Sequence, residues 1–160
     1  MSSSFNASKV FNGTNGKVYI GDTEMAEAIS LEAKATLDKQ EVNSVGVTGK
    51  QYKVVGMEGK GTIKLNKVSS FFIEGMADAI KNNKAPDDVT IHSYIGENDA
   101  VGANGTVEEV VLKGVQFDEL PLINWETKKL GEESIGFTFN DFEVKSKVLY
   151  ADEKWGSATV

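Results

Sequence analysis

The stretch Ala28-Ile29-Ser30-Leu31-Glu32-Ala33-Lys34-Ala35-Thr36-Leu37-Asp38-Lys39-Gln40 decides the fold class. Ile29, Leu31, Ala33, Ala35 and Leu37 alternate with Ser30, Glu32, Lys34, Thr36 and Asp38. Alternation with a period of two predicts a β-strand with one face buried and the other wet. Ala, Glu, Lys and Leu are good helix formers, but on a helix these apolar positions would scatter around the cylinder. Pattern overrides propensity. The same parity resumes further on, with Val55, Met57, Gly59, Gly61, Ile63 and Leu65 against Glu58, Lys60, Thr62, Lys64 and Asn66. Between the two runs lies a loop, Glu41 to Gln51, carrying Gly46 and Gly49, so the whole reads as an extended β-hairpin. A strand of about 11 residues spans roughly 36 Å, against a radius of gyration near ~15 Å for a domain of this size. Such strands cross the domain or protrude from it.

Working outward, residues 1–16 read as an N-terminal arm closed by the turn-rich Asn12-Gly13-Thr14-Asn15-Gly16. Lys17 to Asp22 is a short strand with Val18 and Ile20 on one face, ended by Gly21-Asp22. One helix is expected over about 69–83. Ser69 or Ser70 caps it, Phe72, Met76, Ala79 and Ile80 form its apolar stripe, Glu74, Asp78 and Lys81 take the other side, and Pro86 stops it. Strands follow at Val89–Gly96, Val107–Asp118, Leu122–Thr127 and Ser134–Val144, with a Gly/Asn/Asp loop from Glu97 to Gly105 and a tail over 149–160. No internal repeat or linker divides the chain, which reads as a single domain over 1–160, mainly β, a sandwich or small barrel with one helix.

Composition excludes much chemistry. The 160 residues contain no cysteine, so disulfides, thiolate metal sites and cysteine nucleophiles are ruled out. Net charge is −7, and all 17 basic residues are lysine. Specific nucleic-acid recognition leans on arginine forks and a positive surface, so both sign and side chain oppose it. The N-terminus has no apolar core of the kind a signal peptide needs. No apolar run approaches the roughly 18 residues of a membrane span.

Possible sites are few. His92 is the lone histidine and has no carboxylate or serine at a telling spacing, which favours a structural role. The oxygen-rich loop from Glu97 to Gly105 lacks the order of a calcium hand and suits turns. Gly56, Gly59 and Gly61 lack the spacing of a phosphate loop; glycines inside a strand mark a bulge or the close approach of a bulky ring. The acidic pairs Asp87-Asp88, Glu108-Glu109 and Glu132-Glu133 would point to opposite strand faces and read as solvated surface, with no ready dyad. Phe137, Phe139 and Trp125 fit a core or an interface. No catalytic, metal or cofactor site emerges.

Several stretches in order resemble one family. They are Gly114-Val115-Gln116-Phe117-Asp118-Glu119-Leu120, Asn124-Trp125-Glu126, Leu130-Gly131-Glu132-Glu133 and Phe137-Thr138-Phe139. Earlier come Gly16 to Asp22, Glu32-Ala33-Lys34, Tyr52-Lys53 with Gly56, Gly59 and Gly61, and Val68-Ser69-Ser70. Over residues 9–148 the chain resembles the tail tube proteins of contractile phage tails and phage-tail-like bacteriocins, of the PBSX-like type. It differs from the usual pattern in Asp22-Thr23, in its lysine-only basic set and in a longer tail past Val148.

The resemblance implies a tail-tube-like β-sandwich or barrel with a flanking helix, a non-enzymatic structural protein without cofactors. Copies would form hexameric rings that stack into a tube through which DNA or ions pass, without specific DNA binding or membrane binding. The implied partners are further copies of the chain and the tail sheath, baseplate and terminator proteins. The implied location is a virion or phage-tail-like particle assembled in the host cytoplasm. On that basis Glu32, Lys34, Thr36, Asp38, Glu58, Lys60, Thr62 and Lys64 are expected to face the lumen, three acids against three lysines. The loop residues Asn43, Ser44, Val45, Gly46, Val47, Thr48 and Gly49, within 41–50, are expected to join stacked rings together with the N-terminal arm. Glu74, Asp78 and Lys81 are expected to meet the sheath. The alternatives are a monomeric carbohydrate- or surface-binding β-sandwich using Trp125, Trp155 or Tyr94, an enzyme using the acidic pairs, or a type VI secretion ring protein.

Overall fold

The computed structural model describes residues 12–82, 89–96 and 107–146. The described residues are mainly β with one α-helix. Its elements are β1 (Lys17–Ile20), β2 (Thr23–Glu24), β3 (Ala28–Val42), β4 (Gln51–Asn66), α1 (Phe71–Lys81), β5 (Val89–Gly96), β6 (Val107–Phe117), β7 (Glu132–Phe139) and β8 (Asp141–Ser146). A short 3₁₀ turn over Gly13–Asn15 precedes β1, with the Asn12 side chain accepting a bond from the Thr14 amide. The chain divides into two compact units, one within residues 1–26, 91–111 and 142–160, the other within 27–90 and 112–141. No helix among the described residues is long and apolar enough to cross a membrane.

In the first unit the strand order is β2-β1-β5-β6, with β8 beside β6. Gly21, at φ 61°, turns β1 into β2 as its sequence signal suggested. The Met25 amide then donates to the Val18 carbonyl at 2.8 Å. Val18, Ile20, Met25, Ile91 and Val111 are buried, while Tyr19 and His92 stand opposite each other in the β1–β5 ladder.

In the second unit the order is β6-β7-β4-β3. The antiparallel registers align Leu31, Ile63 and Ile135 in one row, then Ala33, Gly61 and Phe137, then Ala35, Gly59 and Phe139. Ile63, Leu65, Leu112, Val115, Ile135, Phe137 and Phe139 are buried, with Phe72 and Met76 of α1. Burying one such side chain contributes about 1.5–3 kcal/mol. Phe72 meets Phe117 edge-on at 5.1 Å, and Phe117 meets Phe137 at 6.2 Å, which seats the helix. The rings of Phe137 and Phe139 lie over Gly61 and Gly59, the close approach expected of strand glycines.

The structure departs from the sequence reading in several places, beginning with β1, which ends at Ile20 rather than Asp22. The helix is shorter than 69–83, running Phe71–Lys81, with the Glu74 amide donating to the Ser70 carbonyl at 2.9 Å. Leu122 to Thr127 is not a strand. Pro121 has no amide to donate, and the segment runs exposed into a turn where Lys128 takes φ 67°. Ser134 to Val144 is two strands parted at Asn140. The break answers Gly114, whose φ is 64° and whose missing Cβ leaves room for the Asn140 carboxamide. Finally, β3 and β4 reach further than expected, leaving 43–50 as the loop. The 97–105 loop, Asp87-Asp88, Pro86 and the 149–160 tail lie outside the described residues, as does the arm before Asn12.

Candidate functional site

The 15 residues of β3 and 16 of β4 form one long ladder. Its register pairs Ser30 with Lys64, Glu32 with Thr62, Lys34 with Lys60, Thr36 with Glu58 and Asp38 with Gly56. The eight even-numbered residues singled out in the sequence therefore share one face. Three of its lysines are ion-paired, Lys34 to Glu32 at 3.2 Å, Lys60 to Glu58 at 3.1 Å and Lys64 to Glu132 at 3.2 Å. A shallow depression of about 390 Å³ opens on this face, bordered by Glu32, Lys34, Lys60, Thr62, Asp118 and Gly136.

The opposite, apolar face departs from expectation: most of it is not buried. Beside β4, strand β7 pairs only with Gly59–Asn66. There Ile63 and Leu65 are covered, but the stretch Gln51–Glu58 is paired with β3 alone. Leu37 is 51% exposed, and Ile29, Tyr52, Val54 and Val55 are exposed as well. The ladder also skips Val55, pairing Gly56 with Asp38 and Val54 with Lys39. Strand β3 ends the sheet order, so its outer edge carries unpaired backbone groups among the described residues. A bare two-stranded ribbon is at best marginally stable in water, and a long uncovered edge templates pairing with another chain.

At the hairpin tip, Val45-Gly46 make the turn, with Gly46 at φ 85°. The loop displays two exposed valines, Val45 and Val47. On α1, Glu74 and Lys81 are exposed, while the Asp78 side chain lies outside the described residues.

The remaining candidates form no reaction centre. Strand pairing brings His92 beside a carboxylate that its spacing concealed: Nδ1 lies 3.7 Å from Glu109, buried and without a hydrogen-bond partner. Glu109 accepts a hydrogen bond from Tyr94, whose phenol is raised above its ordinary value, first by burial and then by that carboxylate. Glu132 and Glu133 do point to opposite faces, but Glu133 is not solvated surface. It is buried, 6% exposed, because Lys67 Nζ reaches it at 2.6 Å. Trp125 is 81% exposed, with Leu122, Ile123 and Leu130 exposed nearby in sequence, so it belongs to no core. No group of three or more carboxylates or histidines among the described residues is placed to hold a metal.

Comparison with known proteins places this geometry. A family model described as phage tail tube protein matches residues 3–145. The chain is 32% identical over 143 residues to the phage-like element PBSX protein XkdM of Bacillus subtilis (strain 168), covering 89% of this chain and 95% of that one. Its fold is similar to that of the anti-feeding prophage tube-terminating cap, with a TM-score of 0.66 at 11% identity over 91% of this chain and 95% of that one. It is also similar to a chain of the sheath–tube complex of an extracellular contractile injection system in its extended state. There the TM-score is 0.56 at 13% identity, covering 82% and 88% of the two chains. Long antiparallel strands, one helix and an uncovered hairpin thus meet in a chain that belongs to the phage tail tube protein family, a structural and non-enzymatic one.

Proposed function

We propose that copies of this chain close into hexameric rings and that the rings stack as the inner tube of a contractile phage tail or phage-tail-like particle. The observation that carries this reading is the hairpin β3–β4, uncovered on its apolar face and unpaired along its outer edge. Contacts between unlike surfaces generate closed rings, and repeated axial contacts generate fibres. In a ring, the even-numbered face of the hairpin lines the lumen. The apolar face and the β3 edge are covered by neighbouring copies, and residues 43–49 reach the next ring. Glu74, Asp78 and Lys81 face the sheath, with baseplate and terminator proteins at the tube ends. DNA or ions pass through without specific binding.

Electron microscopy of the purified protein with light scattering tests this reading. Annular particles or tubes are expected, and Leu37→Glu, which places a charge on the apolar face, abolishes them while leaving a folded monomer. A wild-type chain that stays monomeric at high concentration overturns the proposal.

A further inference from the structure

The even-numbered face of the hairpin is arranged in rows of single sign. Because the ladder pairs even with even residues, the charges fall across the two strands as Lys64, then Glu32, then Lys34 with Lys60, then Glu58, then Asp38. Successive rows stand two residues apart, about 6.6 Å. The middle row is the unusual one. Lys34 and Lys60 are directly opposite, and like charges in that position repel.

Each of the two lysines bonds to the glutamate two residues before it on its own strand, Glu32 for Lys34 and Glu58 for Lys60. The strands are antiparallel, so those glutamates lie on opposite sides of the lysine row. One ammonium is drawn along the hairpin in one direction and its neighbour in the other. Four charges close into a neutral cluster, and each ammonium already holds a carboxylate with which a phosphate would have to compete.

We propose that Glu32 and Glu58 are masking residues, which hold Lys34 and Lys60 off a polyanion and keep this face from gripping DNA. The inference rests on the reading that the even-numbered face meets the transported polyanion. Six copies in a ring would carry a band of twelve lysines, one that without its glutamates would hold a duplex bearing a charge every ~1.7 Å. With them the band is neutral. Exposed ion pairs of this kind add little to stability, so their glutamates can be changed without unfolding the chain.

The test is binding of a short fluorescent DNA duplex to the full-length purified protein at about 50 mM salt. The double variant E32Q/E58Q is expected to bind at least about tenfold tighter than wild type, with a salt dependence of about two phosphate contacts per chain. The gain should vanish in E32Q/E58Q/K34Q/K60Q. It should also be missing from E24Q/E119Q, which changes net charge equally at two exposed positions elsewhere. A folded E32Q/E58Q no tighter than wild type overturns the proposal, as does an equal gain in E24Q/E119Q. The readout needs no assembled particle. Rings seen without the gain sink the masking role alone, and the gain without rings sinks the conduit reading alone.

Discussion

Gly61 and Phe137 stand directly opposite each other in the β4–β7 ladder, and the Phe137 ring fills the place where a Cβ on residue 61 would be. The backbone oxygen of Glu32 lies 2.5 Å from that same point, so the space is closed from two sides. Gly61→Ala therefore forces either the ring or the β3 backbone to move. Overpacking of this kind costs about 1–3 kcal/mol, and urea unfolding should show the midpoint falling with the slope unchanged.

Lys67 is the cation that makes a buried Glu133 tolerable. Lys67→Met leaves that carboxylate uncompensated and should cost about 2–4 kcal/mol, somewhat below the range for a fully enclosed pair because Lys67 is partly exposed. Glu133→Gln should cost less, since the released lysine can reach water. Denaturation midpoints of the two variants should rank in that order.

The phenol of Tyr94 should ionise above the ordinary value of 10.0, raised by burial, by the hydrogen bond and charge of Glu109 and by the nearby Tyr19. A raised folded value means this stabilisation is fully present below the unfolded value near 10. It is lost progressively as pH climbs from there through the folded value. Ultraviolet titration should resolve one late tyrosine, and Glu109→Gln should bring it back toward 10.

Removal of residues 43–49 should leave the β signature in circular dichroism intact, because no side chain of that loop contributes to the buried set. Electron microscopy of the shortened protein should then show no tubes. Tubes of normal length would overturn the role proposed for the tip.

The strand character of Ala28–Gln40 was legible because alternation over that length admits no other regular structure, and the even-numbered face followed from parity alone. The bareness of the apolar face was not legible. Alternation reports which side of a strand avoids water, not whether the covering surface belongs to the same chain. Leu37 and Val55 satisfy the pattern as well as Ile63 does, yet β7 ends before it reaches them. The strand expected at Leu122–Thr127 failed for a related reason: Leu122, Ile123 and Trp125 are apolar enough, but among the described residues no strand pairs with them. Glu109 beside His92 and Lys67 beside Glu133 depend on pairings between distant segments, which spacing does not reveal.

The residue skipped at Val55 has a consequence for how this hairpin tolerates change in length. In the sequence the apolar beat slips there, from Tyr52 and Val54 to Val55 and Met57. Spending one unmatched residue at the slip brings Tyr52 and Val54 round to the side of Met57 and Leu37, and sends Lys53 to the other. On β4 the apolar side then continues to Tyr52, while β3 sets Lys39 opposite Val54 and Glu41 opposite Tyr52 on that same side. A single insertion elsewhere in either strand would turn the remainder inside out, so compensated or paired insertions are the changes such a ribbon can absorb.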